Sequence, residues 1–324
     1  MEVSDARGWL DMVRSVVLVV VPFVAGMLGG SRLKPAGNAV PLVIAGLVMA
    51  AAVFMALAVN TEWILIPAGI VPLLIFVWLL GMNVFLGPAN SLIMRFTDST
   101  GQVMAVSISL AVAELLYALH VPVGELIYGI GILPVFAGAG LLMLGVAFLF
   151  RKVFTPATES VRREQEVPGE NRFGRIAVSG MLAGILLMII QTFMPVWVLA
   201  KVQLPELMSV LGGGKDTLVS LVLIVAALAS IPAARFSNRA GIVKVLVLGM
   251  AGTVISLAFS FVVPDPAATV IAVLAAGAFM ALVMVALLPY TAAQVRTESQ
   301  LTGTGILFAA VALPDAVVKI VLGL

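Results

Sequence analysis

A single glutamate interrupts the apolar run between residues 102 and 121 of this 324-residue sequence. In a helix, Glu114 lies about 18 Å from Gln102 at ~1.5 Å per residue, and it shares one face with Ser107 and Tyr117. If the run crosses a bilayer, a charge at its centre costs at least ~2.5–3.5 kcal/mol, which makes Glu114 a functional candidate. We predict that Glu114, with Tyr117 beside it, couples to protons or contacts a substrate. The alternative is a structural acid that is protonated or bonded to Tyr117.

Asp315 and Lys319 form a second candidate pair, because opposite charges one helical turn apart can bond to each other. With Thr304 they make a polar stripe along the last apolar run. Mutual neutralisation lowers the cost of burying both charges, so a structural ion pair is the favoured interpretation. Two alternatives stay open: Lys319 extends to the outer surface, or the pair takes part in binding a solute or ion.

Amide side chains mark two further apolar runs. Asn83 and Asn90 are seven residues apart and so lie on one helical face. Elsewhere, Gln191 precedes Pro195, which can kink its helix and open the outer end. Amides in such helices either hydrogen-bond to neighbouring helices or line a polar cavity. We favour helix contacts for the two asparagines and keep all three amides as substrate-contact candidates.

The residue types that most enzymes and metal sites require are scarce. The sequence has no cysteine and one histidine, which excludes disulfides and thiolate sites and argues against a histidine-built metal site. No nucleophile–base constellation is visible either. We therefore expect no enzymatic activity, no cofactor and no metal. The pI of about 9.1 comes from Lys and Arg beside apolar runs, so it indicates membrane topology rather than nucleic-acid binding.

These candidates lie in a chain that is too apolar for a water-soluble protein: 62% of its residues are hydrophobic, 10% are charged, and its mean hydropathy is +1.20. The apolar runs approach the ~20 residues that a helix needs to cross a bilayer. They are continuous rather than alternating, which favours helices over a β-barrel. The sequence thus predicts an all-α polytopic membrane protein. We expect ten spans, at residues 12–30, 40–60, 63–87, 102–121, 126–150, 176–200, 216–233, 243–262, 267–289 and 302–322.

The longest charged stretch, residues 151–175, separates five spans from five. It contains Pro156 and Pro168 and lacks apolar periodicity, which is typical of a solvated linker. We predict an N-terminal lobe at 1–150, a cytoplasmic linker at 151–175 and a C-terminal lobe at 176–324. Threading the spans alternately puts most Lys and Arg on the linker's side, which the positive-inside rule identifies as cytoplasmic. Both termini would then lie outside, in a multi-pass protein of the plasma membrane.

Two patterns recur on either side of this linker. Pro88 is followed by Arg95 in GPANSLIMRFTDSTGQ, and Pro289 by Arg296 in LPYTAAQVRTESQLTG. Basic turns recur as GGSRLKPAGN and ARFSNRAGIVK. Parallel repeats are a known plan of secondary transporters, with the substrate site near the midplane. In these segments, and in its long charged loop, the chain resembles the major facilitator superfamily.

The resemblance implies a two-lobed helix bundle that moves a small solute by alternating access, with coupling to protons as a further expectation. It also implies that the basic turns form cytoplasmic gates, through Arg32 and Lys34 in the first and Arg235 and Arg239 in the second. Family members have twelve helices and cytoplasmic ends, so ten spans with both ends outside correspond to a bundle without its first and last helices. Either the sequence is an incomplete or divergent member, or a membrane partner supplies the missing helices.

Two functional classes therefore stay open. The favoured one is a secondary transporter whose partners are a small-molecule solute, protons and the lipid bilayer, with no nucleic acid. The alternative is a non-transporting membrane scaffold or assembly factor that retains the transporter fold. The sparse polar residues within the spans and the absent first helix are consistent with that alternative.

Overall fold

The computed structural model describes residues 3–30, 39–63, 67–97, 99–157, 170–202 and 214–322. Within these ranges the regular structure is helical, with no strand, which confirms the all-α polytopic fold class. Short 3₁₀ helices lie at Ala68–Ile70 and Thr297–Ser299, and a π-helical segment lies at Ile189–Phe193. The α-helices are α1 Val3–Gly30, α2 Ala39–Trp63, α3 Val71–Phe96, α4 Ser99–Ala118, α5 His120–Ile130, α6 Ile132–Ala157, α7 Phe173–Met188, α8 Met194–Leu199, α9 Gly214–Ala240, α10 Ile242–Val262, α11 Pro266–Ala293 and α12 Gln300–Leu322.

Each predicted span overlaps at least one of these helices. Nine helical stretches of the described residues are long and apolar enough to cross a membrane, and a shorter apolar stretch lies at Met12–Leu28 in α1. The protein is therefore a multi-pass integral membrane protein. The helix that follows the charged stretch is assembled from α7, the π-helical segment and α8, which together form one apolar run of 27 residues, Phe173–Leu199.

Several helix boundaries differ from the predicted ones, and two of the differences have a clear local cause. The third span, expected at 63–87, is α3 at Val71–Phe96. Pro67 and the 3₁₀ turn after it interrupt the apolar run before α3 begins, while Pro88 is accommodated inside the helix. The break expected between the spans 102–121 and 126–150 lies instead at Gly131, whose φ of +103° is a left-handed conformation that glycine tolerates best.

The charged stretch is helical at both ends. α6 continues through Ala157, and α7 begins at Phe173, so helix occupies parts of the predicted linker at 151–175. Residues 158–169 lie outside the described residues. Just before α7, Asn171 accepts a hydrogen bond from the Arg296 backbone N–H at 2.9 Å and donates one to the Ser299 hydroxyl at 3.1 Å. These two bonds fasten the entry of α7 to the connection between α11 and α12.

The described helices pack as two compact units. One unit combines Met1–Phe96, Ile127–Met181 and Thr291–Leu324, and the other combines Thr97–Leu126 with Leu182–Tyr290. Each unit takes segments from both sides of the charged stretch, because the grouping reflects helix neighbours rather than chain order. The division of the chain into lobes at 1–150 and 176–324 stays a prediction.

In the first unit, α1 packs along α12, and α2 packs against α3 and α6. The approach of α1 to α12 depends on glycine: a Cβ added at Gly305 would collide with the Pro22 carbonyl oxygen and with Gly26 Cα, the latter at 2.9 Å. The Thr302 hydroxyl donates a hydrogen bond to the Gly26 carbonyl at 3.1 Å across the same contact. Close backbone approach of this kind is a common way for helices to associate in membranes.

In the second unit, α4 packs along α9, and α8 packs against α9 and α10. A buried cluster of Val103, Ala233, Ala234 and Val285 joins α4, α9 and α11. The small residues of α9 let α4 approach closely, which is the packing that membrane helices favour. Because α4 and α9 carry no charged residue other than Glu114 in their middle turns, this packing isolates that carboxylate among apolar side chains.

Candidate functional site

Glu114 projects from the second half of α4, inside the span Gly101–Ala118. Its side chain is partly buried. Two turns earlier, Ser107 is fully buried and donates its hydroxyl hydrogen to the Met104 carbonyl at 2.8 Å, so it is satisfied within α4 itself. Ser107 therefore does not act on Glu114, and the carboxylate depends on other helices for any partner.

The π-helical segment Ile189–Phe193 carries the next polar candidate, Gln191. Here the Met194 backbone N–H bonds to the Ile189 carbonyl, five residues back, instead of four. The cause lies one residue further on: Pro195 has no N–H and cannot donate to the Gln191 carbonyl, so the regular α-helical ladder cannot continue through this turn. The wider turn presents the Gln191 side chain at the surface of its helix, where it is exposed. Such π-helical turns frequently occur at functional sites.

Glu114 and Gln191 line the same pocket within the second unit, and its volume in this conformation is about 20 Å³, room for roughly one water molecule. Leu110 of α4 and Leu187 of α7 continue its wall beside the two polar residues. All other lining residues are apolar. Those of α9 and α11 are Val222, Leu223, Ala226, Met280, Ala281 and Met284. The structure therefore brings together one carboxyl group and one carboxamide in an otherwise apolar cavity, which is far smaller than the ~300–1,000 Å³ typical of ligand sites and has to widen before it can admit a solute.

Tyr117 does not line this pocket, although it is three residues from Glu114. Its side chain is 53% exposed, and its ring lies 5.5 Å from that of His120 between centroids. The His120 Nδ1 is 2.7 Å from the Tyr117 carbonyl oxygen, so the two residues interact at the junction of α4 and α5. Tyr117 therefore lies outside the lining of the pocket of Glu114, and its role as a substrate contact stays a prediction.

Asn83 and Asn90 belong to α3 in the first unit. Each donates an amide hydrogen to the carbonyl four residues earlier in the same helix: Asn83 to Leu79 at 2.8 Å, and Asn90 to Leu86 at 2.9 Å. Asn83 is buried and Asn90 is partly buried. Both side chains therefore direct a donor to their own backbone, and their contribution to a substrate site stays a prediction.

Asp315 and Lys319 form the predicted ion pair in α12. The Lys319 Nζ lies 2.8 Å from an Asp315 carboxylate oxygen, and the two side chains are 30% and 32% exposed. The pairing is thus confirmed. Thr304, the third member of the predicted stripe, is buried and donates to the Gln300 carbonyl of the same helix. A role of the pair in binding a solute or ion stays a prediction.

The second predicted gate turn is mostly helical. α9 continues through Ala240, so Arg235 and Arg239 are exposed residues of its last two turns. Gly241, with a φ of +93°, alone separates α9 from α10. The first gate turn, with Arg32 and Lys34, lies outside the described residues. Within the described residues, no group of three or more His, Asp or Glu side chains could hold a metal ion.

A polar cluster at the end of α8 was not predicted from the sequence. The Lys201 ammonium donates to the carbonyls of Ser260 at 3.1 Å, of Phe261, and of Val263 at 3.0 Å, and so caps α10. Trp197 adds a bond from its indole N–H to the Ser260 hydroxyl. A lysine and a tryptophan one turn apart at the end of a span are a signal for such a cap, but sequence alone does not name the helix they reach.

The fold of this chain is similar to that of solved transporter structures. No family model matches the chain, and no curated protein matches it. Among solved structures, a human organic anion transporter, MFSD10 (TETRAN), has a TM-score of 0.65 at 15% identity, over 96% of this chain and 76% of its own. A major facilitator superfamily transporter, FucP, solved in the outward conformation, has a TM-score of 0.66 at 11% identity, over 98% of this chain and 83% of its own. The chain therefore has the major facilitator fold.

Proposed function

We propose that this protein is a secondary transporter that carries a small solute across the membrane through the pocket of Glu114 and Gln191. The observation that carries the proposal is the convergence of these two side chains, from α4 and from the π-helical segment, on one cavity within the membrane-spanning helices. A carboxyl group and a carboxamide among apolar walls are a costly arrangement in a membrane, so a functional role explains their presence better than packing does.

The fold supports transport as the class of activity. FucP is described as a transporter in an outward conformation, and MFSD10 as an organic anion transporter. At 11% and 15% identity these similarities concern architecture. The anionic substrate of MFSD10 does not carry over, because the pocket of this chain presents a carboxyl group. Alternating access of the pocket to the two sides of the membrane is the mechanism that we propose.

We further propose that Glu114 couples the solute to protons. A membrane-embedded carboxyl group can change its proton occupancy when a solute arrives or when the pocket changes its exposure to water. The neutral form is the cheaper one while the pocket is empty. A solute that interacts with the ionised form then displaces the proton, which leaves to the side that the pocket faces. The proposed location is the plasma membrane, with the linker in the cytoplasm.

The test is flux through the reconstituted full-length chain. Proteoliposomes are given an imposed pH gradient, and the uptake of radiolabelled benzyltrimethylammonium, glucose and benzoate is compared with uptake by protein-free liposomes. We expect protein-dependent accumulation of at least one of these probes. If none accumulates and the chain instead co-purifies stably with one membrane protein, the proposal is wrong and a scaffold or assembly role takes its place.

A further inference from the structure

The walls of the pocket are almost entirely apolar. α9 and α11 contribute only aliphatic side chains and methionines, and Leu110 and Leu187 complete the surface beside the polar groups. A solute that is polar over its whole surface would lose its hydration in this cavity and find few partners in return. Once the cavity widens to admit a solute, these side chains favour an occupant with an apolar body that they can contact.

Glu114 is the ionisable group in the lining. Within the described residues, no Lys, Arg or His side chain lies within ion-pair distance of its carboxylate. A charge removed from water is costly unless an opposite charge accompanies it, and in a medium of low dielectric constant the attraction between the two is strong. Since the protein wall supplies no cation, the ionised form of Glu114 is best compensated by a positive charge on the solute.

The charged and titratable groups of the surrounding helices do not supply a counter-charge to the carboxylate of Glu114. On α9 they stand at the two ends of the helix, and on the α4 side they follow Glu114 at the junction with α5. None of them lines the pocket. These groups are Arg175 of α7, Lys215, Asp216, Arg235 and Arg239 of α9, Tyr290 of α11, and Tyr117, His120 and Glu125.

Two further features indicate how the solute is held. Gln191 carries both donors and an acceptor, so it can bond to a polar substituent beside the charge. Met280 and Met284 lie four residues apart on α11, and both line the pocket. Methionine is flexible and polarizable, and surfaces rich in it adapt to ligands of different shape. The pocket is therefore suited to a chemical class rather than to one rigid molecule.

We propose that the Glu114 pocket binds organic monocations that combine one positive charge with an apolar body, such as protonated or quaternary amines, and that it disfavours organic anions. This inference rests on the proposed transport function for its biological meaning, but it concerns binding alone. Opposite charge attracts the cation to Glu114, the aliphatic and methionine walls contact its apolar body, and like charge repels an anion of the same shape.

Equilibrium binding to the purified full-length chain in detergent tests the inference. The probes are radiolabelled benzyltrimethylammonium and, as competitors, tetramethylammonium and phenylmethanesulfonate. We expect saturable binding of the benzyl cation, weaker competition by tetramethylammonium, which lacks the ring, and at least ~10-fold weaker competition by the anion. Glu114→Gln is expected to weaken cation binding at least ~10-fold, about 1.4 kcal/mol. Glu125→Gln, which removes an exposed carboxylate of α5 outside the pocket, is expected to leave it within twofold.

Two results would overturn the inference in the wild-type protein, independently of how any variant folds: no saturable binding of the benzyl cation, or competition by the anion as strong as by the cation. Comparison with the flux experiment separates the two proposals. If a solute is transported but the chain does not prefer the cation over the anion, the transport proposal is supported and the inference is refuted. The charge preference without any flux supports the inference and refutes transport.

Discussion

The indole N–H of Trp197 donates a hydrogen bond to the Ser260 hydroxyl across 3.2 Å and so fastens α8 to the last turn of α10. The Trp197 and Phe261 rings meet edge to face beside it, with centroids 5.6 Å apart. Lys201 adds charge-assisted bonds to the carbonyls that end α10. Because α8 directly follows the π-helical segment with Gln191, these contacts fix the end of the helix that forms one pocket wall.

Replacing Lys201 by methionine should therefore lower stability. The change keeps the length of the side chain and removes its bonds to the α10 carbonyls, each worth roughly 1.5–3 kcal/mol when fully formed and less where water screens it. We expect a loss of about 1–2 kcal/mol, seen as a thermal midpoint lower by a few degrees in detergent. Lys215→Met is the control, because Lys215 is exposed at the start of α9, where a cation gains nothing from the helix dipole. Equal midpoints for the two variants would contradict the capping role.

Gly305→Ala should separate α1 from α12. The new methyl group would collide with the Pro22 carbonyl and the Gly26 backbone, and backbone atoms cannot move away as a flexible side chain can. We expect a destabilisation of about 1–3 kcal/mol, typical of overpacking. The matched control is Gly145→Ala in α6, where an added Cβ meets nothing within 4 Å. Alanine there should be neutral or stabilising, since it favours helix by up to ~1 kcal/mol over glycine. Thermal unfolding of both proteins in detergent measures the difference.

Asp315 and Lys319 should behave as a coupled pair. Removing one partner leaves the other charge uncompensated in a membrane span, so Asp315→Asn and Lys319→Met should each reduce the amount of folded protein in the membrane. The double variant should recover much of the loss, because it removes both charges together. A double-mutant cycle on the free energy of unfolding measures the coupling, and strictly additive losses would show that the 2.8 Å contact contributes nothing.

Gln191→Lys should weaken binding of the benzyl cation. A lysine at this position brings a positive charge into the pocket of Glu114, where it can pair with the carboxylate and repel a cationic solute. We expect at least ~10-fold weaker binding. Gln191→Leu is the matched control: it removes the amide without adding charge, and it should cost only about 0.5–1 kcal/mol, roughly two- to fivefold in affinity. Cation binding that is equally strong in both variants would contradict the claim that Gln191 and Glu114 line one binding pocket.

The sequence was sufficient for the fold class because bilayer thickness limits the length of every span. It also identified Glu114 and Gln191, since polar residues are rare in such spans. It misplaced α3, because an apolar run shows how much of the chain could cross the membrane but not where a helix begins. Pro67 and Pro88 had opposite effects: one precedes the helix, and the other is accommodated within it.

The convergence of the polar residues could not be predicted, because helical periodicity gives a face but not its neighbour. Tyr117 shares a helix with Glu114, yet it is exposed at the junction of α4 and α5. Gln191 reaches the pocket from a different part of the chain, on a π-helical turn. Pro195 pointed to an irregularity there, but the widened turn appears only when the backbone bonds are traced.

Proton movement caused by the solute tests the central claim most directly. Proteoliposomes containing the full-length chain and a trapped pH-sensitive dye are exposed to benzyltrimethylammonium, and the internal pH is followed in wild type, Glu114→Gln and Glu125→Gln. The account predicts that entry of the cation drives protons out in wild type and in Glu125→Gln, and that the movement falls at least ~10-fold in Glu114→Gln. Proton movement of the same size in Glu114→Gln as in wild type would contradict it.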